Sequence, residues 1–123
     1  KKKKKIKKKK IKIKGSKILI MGLTFKENCP DIRNTKVIEV FNELNDYGLK
    51  TEIYDPFASK VEVKKEFNLD LTPELNKKYN LIILAVAHDE FKNINIENLK
   101  INKNSIVFDL KAFLNRKTVN NRL

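Results

Sequence analysis

Leu81-Ile-Ile-Leu-Ala-Val-Ala87 is apolar at every position. A strand with one wet face alternates apolar and polar residues, so an unbroken apolar run reads as a strand buried on both faces, as in a parallel sheet covered by helices. The run is too short to span a bilayer. Working outward, Lys17-Ile-Leu-Ile-Met21 is a second buried strand ending at Gly22, and Ile106-Val-Phe108 is a third ending at Asp109. Thr51-Glu-Ile-Tyr54 is a fourth, stopped by Asp55-Pro56, since proline cannot donate to a ladder. Between the first two strands of the chain, Val37, Val40, Phe41, Leu44 and Tyr47 fall on one helical stripe. Asn34 is a candidate N-cap and Gly48 a candidate C′ residue. Ser59 is placed to cap a short helix over Lys60 to Phe67. Residues 69–75 are ambiguous, with Pro73 opening a turn. Residues 89–99 read as a short helix or turn, and Arg116 to Leu123 as a polar tail.

This alternation predicts an α/β fold: a Rossmann-like three-layer sandwich with a mainly parallel sheet. At 123 residues and 41% hydrophobic, the chain is one domain with a modest core. It is too short to hold both a cofactor domain and a substrate domain. Its single cysteine, Cys29, excludes an internal disulfide framework and a multi-cysteine zinc site. The basic start is not followed by the apolar stretch of a signal peptide, so the expected setting is reduced and cytoplasmic.

The net charge of +13 resembles that of a nucleic-acid binder until its distribution is read. Of 28 lysines and arginines, 11 lie within residues 1–14, which hold no acid; the rest of the chain nearly balances 17 basic against 15 acidic side chains. Residues 1–15 therefore read as a lysine-rich linker from an upstream domain, and residues 16–123 as the folded unit. The linker has neither aromatics for stacking nor arginines for bidentate contacts, so nucleic acid is not the favoured partner, and no membrane role is expected.

In parallel sheets of this kind ligands sit at the carboxyl ends of the strands. Loops 22–34, 55–59, 87–92 and 109–116 meet that condition. The first lacks the G-x-G-x-x-G of a dinucleotide site, since Gly22 is followed by Leu23, Thr24 and Lys26. A receiver domain would need acids after the first strand, and none is there. Lys26 and Arg33 flank Pro30, and two readings stay open: an anion site, or a solvated lysine beside an arginine paired to Asp31 or Glu27. Lys111 adds a third cation at the same sheet edge. Cys29 reads as a partly buried loop cysteine rather than a nucleophile. His88 reads as a strand-end histidine that orients a loop rather than a general base. Asp55 reads as a cap or turn residue. No metal site is expected.

The run Gly22-Leu-Thr-Phe-Lys-Glu-Asn-Cys-Pro-Asp-Ile-Arg-Asn-Thr35 resembles the signature that opens the C-terminal domain of the UDP-glucose/GDP-mannose dehydrogenase family. Its Glu-Asn-Cys-Pro-Asp segment is similar to the branch acting on UDP-N-acetylhexosamines. Tyr54-Asp-Pro56, Ala85-Val-Ala-His-Asp-Glu-Phe91 and Phe108-Asp-Leu-Lys111 follow in the family's order. The resemblance covers about residues 16–123. It implies an oxidoreductase that converts the C6 alcohol of a nucleotide sugar to a carboxylate for surface polysaccharides, using two NAD per sugar. It also implies a dinucleotide domain holding most of the NAD, a central helical domain carrying the nucleophilic cysteine, and a homodimer in the full-length protein. Phe25, Lys26 and Lys111 would contact the UDP-sugar, and Arg33 the NAD. Lys111 stands where some members have arginine. No catalytic residue falls in this segment, and Cys29 does not inherit the nucleophile's role. The segment alone is then inactive. The rival reading is a free-standing nucleotide-sugar or anion-binding module with a basic arm for nucleic acid or membrane.

Overall fold

The computed structural model describes residues 16–33, 35–109 and 121–122. Five strands form one sheet: β1 (Lys17–Met21), β2 (Lys50–Tyr54), β3 (Leu81–Leu84), β4 (Ile106–Asp109) and β5 (Asn121–Arg122). Their order is β2-β1-β3-β4-β5, and every neighbouring pair is parallel. Helix α1 (Val37–Asp46) joins β1 to β2, and α2 (Lys60–Phe67) follows β2. Two 3₁₀ helices, Asp89–Asn93 and Ile96–Leu99, lie between β3 and β4.

Strand alternation splits the apolar residues between two faces. Ile18, Ile20, Ile53, Leu81, Ile83, Ile106 and Phe108 pack with Val37 and Leu44 of α1 and Val63 of α2. Leu19, Met21, Ile82, Leu84 and Val107 pack on the other face with Phe91, Ile96 and Leu99 of the 3₁₀ helices. The sheet is thus covered on both sides, as the unbroken apolar runs require.

The polar tail expected over residues 116–123 is corrected in part. Asn121 and Arg122 add a fifth strand beside Phe108 and Asp109. Backbone pairing does not need apolar side chains, so composition could not reveal it. Helix α1 starts at Val37, whose N–H is accepted by Thr35 Oγ1 at 3.2 Å. The expected cap, Asn34, lies outside the described residues. Ser59 caps α2 by accepting from the Glu62 N–H at 3.3 Å.

The β1 exit is close-packed. Gly22 has φ +103°, and a Cβ there would lie 2.6 Å from Val86 Cβ and 2.8 Å from Val86 N. Left-handed backbone and overpacking each cost about 1–3 kcal/mol, so Gly22→Ala is expected to destabilise the chain by at least about 2 kcal/mol in urea unfolding.

Candidate functional site

A parallel sheet sends every strand's carboxyl end to one edge, so the loops after β1, β2 and β3 meet there. Asp55, the first residue after β2, is 5% exposed and is the hub of that edge. Its Oδ2 accepts the N–H groups of Leu23 at 2.6 Å and Thr24 at 3.0 Å, both in the loop after β1. Its Oδ1 accepts the N–H groups of Phe57 at 2.8 Å and Ala58 at 3.3 Å, forming its own turn. His88 Nε2, from the loop after β3, lies 2.9 Å from Oδ2. Burial pushes the Asp55 carboxyl up, but the His88 contact and the Leu23 and Thr24 amides outweigh it and hold the group below the usual carboxylate range.

The tautomer of His88 follows from its partners. The Asn28 N–H donates to Nδ1 at 2.8 Å, so Nδ1 carries no proton. Nε2 then bears the hydrogen and donates to Asp55, with Thr24 Oγ1 also 3.1 Å away. Thr24 Oγ1 in turn donates to the Lys26 carbonyl at 3.0 Å. Phe57 and Phe91 rings flank the imidazole, with centroids 4.5 and 5.3 Å away. His88 is fully buried, and both ring nitrogens are engaged. Its two edges thus join the loops after β1 and β2, the contacts that a loop-orienting histidine makes.

The loop between Thr24 and Asn28 is closed by further bonds. The Phe25 N–H donates to the Asp31 carbonyl at 2.7 Å, and Asn28 Oδ1 accepts the Asp89 N–H at 2.9 Å. Asn28 sits at φ +58°, a left-handed conformation that asparagine tolerates better than most residues. From this rigid base Phe25 projects with 55% of its surface exposed, beside an exposed Lys26. Among the described residues the Lys26 ammonium has no carboxylate partner. Arg33 also points outward, its side chain 84% exposed, but it forms a two-pronged pair with Asp31 at 3.0 and 3.1 Å. Of the two readings left open by sequence, this is the geometry of the second, a solvated lysine beside an arginine paired to Asp31. Lys26 is available to an anion, whereas Arg33 is paired to Asp31, holding its carboxyl below the usual range. Lys111, the third cation, lies outside the described residues.

Cys29 is a half-buried free thiol. It lines an open groove of about 670 Å³ together with Pro30, Ile32, Arg33 and Lys65. The acids Asp31, Glu62 and Glu66 also face this groove, which gives it the wrong sign for a diphosphate. Neither Phe25 nor Lys26 lines it.

The β1 turn does not fit a dinucleotide. In such folds the turn's amides approach the pyrophosphate, and glycines make room for it. Here the Leu23 and Thr24 amides are spent on an internal anion, the Asp55 carboxylate. Sequence reading gave Asp55 its own turn but missed its reach to Leu23, Thr24 and His88. Those contacts cross more than thirty positions, and no local pattern encodes them. Asn28 was missed too, although an asparagine in a polar loop is the ordinary signal for left-handed backbone.

A family model described as the UDP-glucose/GDP-mannose dehydrogenase family, UDP binding domain, matches residues 19–116. The chain belongs to this family. It is 45% identical over 104 residues to a UDP-N-acetyl-D-glucosamine 6-dehydrogenase of Pseudomonas aeruginosa, covering 81% of this chain and 24% of that protein. It is 43% identical over 109 residues to Protein CapL of Staphylococcus aureus, covering 86% of this chain and 26% of that protein. The chain thus spans about a quarter of the length of these relatives. Two solved structures share the fold: a UDP-D-ManNAc dehydrogenase from Pyrococcus horikoshii (TM-score 0.74, 20% identity, 97% of this chain and 28% of that one) and an NDP-N-acetyl-D-galactosaminuronic acid dehydrogenase from Methanosarcina mazei (TM-score 0.79, 15% identity, 92% of this chain and 24% of that one). The α/β sheet expected from the apolar runs is therefore the fold of this dehydrogenase domain. Among the described residues no helix is long and apolar enough to cross a membrane.

Buried Asp55 and half-buried Glu52 give the domain an acid-sensitive stability. Glu52 accepts from Tyr79 Oη at 2.7 Å, Thr72 Oγ1 at 3.2 Å and Lys77 Nζ at 2.9 Å. Burial pushes the Glu52 carboxyl up, but these donors, Lys77 foremost, bring it below the usual range. A carboxylate whose folded-state pKa lies below its unfolded value stabilises fully above about pH 4–5 and loses that contribution as pH falls through the folded value. The urea midpoint is accordingly expected to fall between about pH 6 and pH 3, and to fall less in Asp55→Asn.

Proposed function

We propose that this chain is the nucleotide-sugar-gripping C-terminal domain of an NAD-dependent UDP-sugar 6-dehydrogenase, with residues 16–123 as the folded unit and residues 1–15 as its link to upstream domains. The carrying observation is the loop after β1, where an exposed aromatic adjoins an exposed lysine that has no carboxylate partner among the described residues, both on a hydrogen-bonded base. An aromatic face and a cation suit a nucleotide sugar, which offers flat and apolar surfaces together with a diphosphate. In this reading Phe25 packs on the ligand, Lys26 meets its charge, and Lys111 also contacts it. Two relatives at 45% and 43% identity, both UDP-N-acetyl-D-glucosamine 6-dehydrogenases, support a UDP-N-acetylhexosamine as the sugar.

NAD is held mainly by the upstream dinucleotide domain, since the β1 turn here spends its amides on Asp55. Arg33 contributes an outer contact to the cofactor. The chemistry belongs to the other domains: half a cleft cannot supply the contacts that distinguish a transition state from a ground state. The full protein works as a cytoplasmic homodimer.

The test is to supply UDP-N-acetylglucosamine and NAD to the full-length protein and to this chain. Steady NADH formation by the full protein and none by the chain is the expected result. Turnover by the chain alone would contradict the division of labour. Arg33→Ala in the full protein is expected to raise the KM for NAD more than the KM for the sugar nucleotide, and the reverse pattern would reassign Arg33 to the sugar side.

A further inference from the structure

Resting on the reading of Phe25 and Lys26 as ligand contacts, we propose that His88 is the positioning residue that presets their loop, acting through the Asn28 amide. The loop is tied at its end to the imidazole and at its start to the Asp55 carboxylate that the imidazole holds. At its start, the Thr24 N–H and Oγ1 lie against Asp55 and His88 Nε2; at its end, the Asn28 N–H donates to His88 Nδ1. Three residues separate the two ties, and two of them are Phe25 and Lys26. The neighbouring residue on β3's side joins in, because the Asp89 N–H is accepted by Asn28 Oδ1. A neutral imidazole accepts at one edge and donates at the other, and here the two edges face Asn28 and Asp55. Its ring is fixed by the Phe57 and Phe91 faces and by full burial. The Lys26 carbonyl is held as well, since it accepts from the same Thr24 hydroxyl. The two exposed ligand-facing side chains therefore stand on backbone whose conformation is set by a buried histidine they do not touch. Preorganisation of this kind raises affinity by reducing the ordering that binding must impose.

Two substitutions separate the two edges of the ring. His88→Gln places an amide where Nε2 lies and keeps a donor for Asp55, but withdraws the acceptor from Asn28. His88→Asn places an oxygen near Nδ1 and keeps the Asn28 acceptor, but gives up Asp55. In ¹⁵N-labelled chain, His88→Gln is expected to raise the Asn28 amide exchange rate by about tenfold or more and to broaden Phe25 and Lys26, with Leu19 and Ile82 in the sheet unchanged. His88→Asn is expected to preserve Asn28 protection. The Kd for UDP-N-acetylglucosamine is expected to rise about tenfold in His88→Gln and less in His88→Asn. Equal behaviour of the two variants at Asn28, Phe25 and Lys26 would overturn the proposal and leave His88 a packing residue. If wild-type chain showed loop protection but bound no UDP-N-acetylglucosamine, the ligand reading would fail while the loop readouts still decide the role of His88. If His88→Gln does not fold, the wild-type imidazole decides: ¹⁵N spectra are expected to show an unprotonated Nδ1 coupled to the Asn28 amide, and a protonated Nδ1 would overturn the mechanism.

Discussion

Asp55→Ala is expected to lower the unfolding free energy by about 3–5 kcal/mol, the usual effect of removing one partner from a buried charged network. The carboxylate binds three loops at once. Without it the Leu23, Thr24, Phe57 and Ala58 amides and His88 Nε2 lose their acceptor together. Leu23, Thr24, Ala58 and His88 are buried, so water cannot readily replace the lost oxygen atoms. Asp55→Asn keeps one oxygen but loses the charge, and its expected cost is about 1–3 kcal/mol. Urea unfolding of both variants beside wild type measures the difference. Equal and small losses would show that the loops are held by apolar packing instead.

Lys26→Ala in the full-length protein is expected to raise the KM for the sugar nucleotide by about 10- to 150-fold, the equivalent of a charge-assisted contact of about 1.5–3 kcal/mol. The side chain is exposed and has no carboxylate partner among the described residues, so its removal leaves the folded domain intact. That separates it from Asp55, whose loss acts on stability first. Steady-state kinetics beside a thermal melt makes the distinction. An unchanged KM with an unchanged melting temperature would remove Lys26 from the ligand wall.

The parts of this domain that sequence reveals are those built from local pattern. Leu81 to Ala87 announces a doubly buried strand because its burial is written in consecutive residues. Ser59 and Gly48 mark helix ends through chemistry confined to one turn: Ser59 accepts from Glu62 N–H, and Gly48 adopts φ +80° beyond α1. The first loop is also well marked, since Phe25, Lys26 and Arg33 lie in one long motif. What sequence did not show is long-range or carried by backbone alone. The bond from His88 to Asn28 spans 60 positions, and that from His88 to Asp55 spans 33. Strand β5 is made of Asn121 and Arg122, residues that ordinarily mark a turn or a tail. The pairing of Arg33 with Asp31 was one of two open readings, and only geometry chose between them.

In the proposed function, the loop after β1 forms one wall of a nucleotide-sugar site. A ¹⁵N titration of this chain with UDP-N-acetylglucosamine in moderate salt, with inorganic phosphate as control, tests it most directly. Localised, saturable shifts at Phe25, Lys26 and Lys111 that phosphate does not reproduce are the predicted result. Shifts confined to the lysines of residues 1–14, equal for both ligands and abolished by salt, would contradict it.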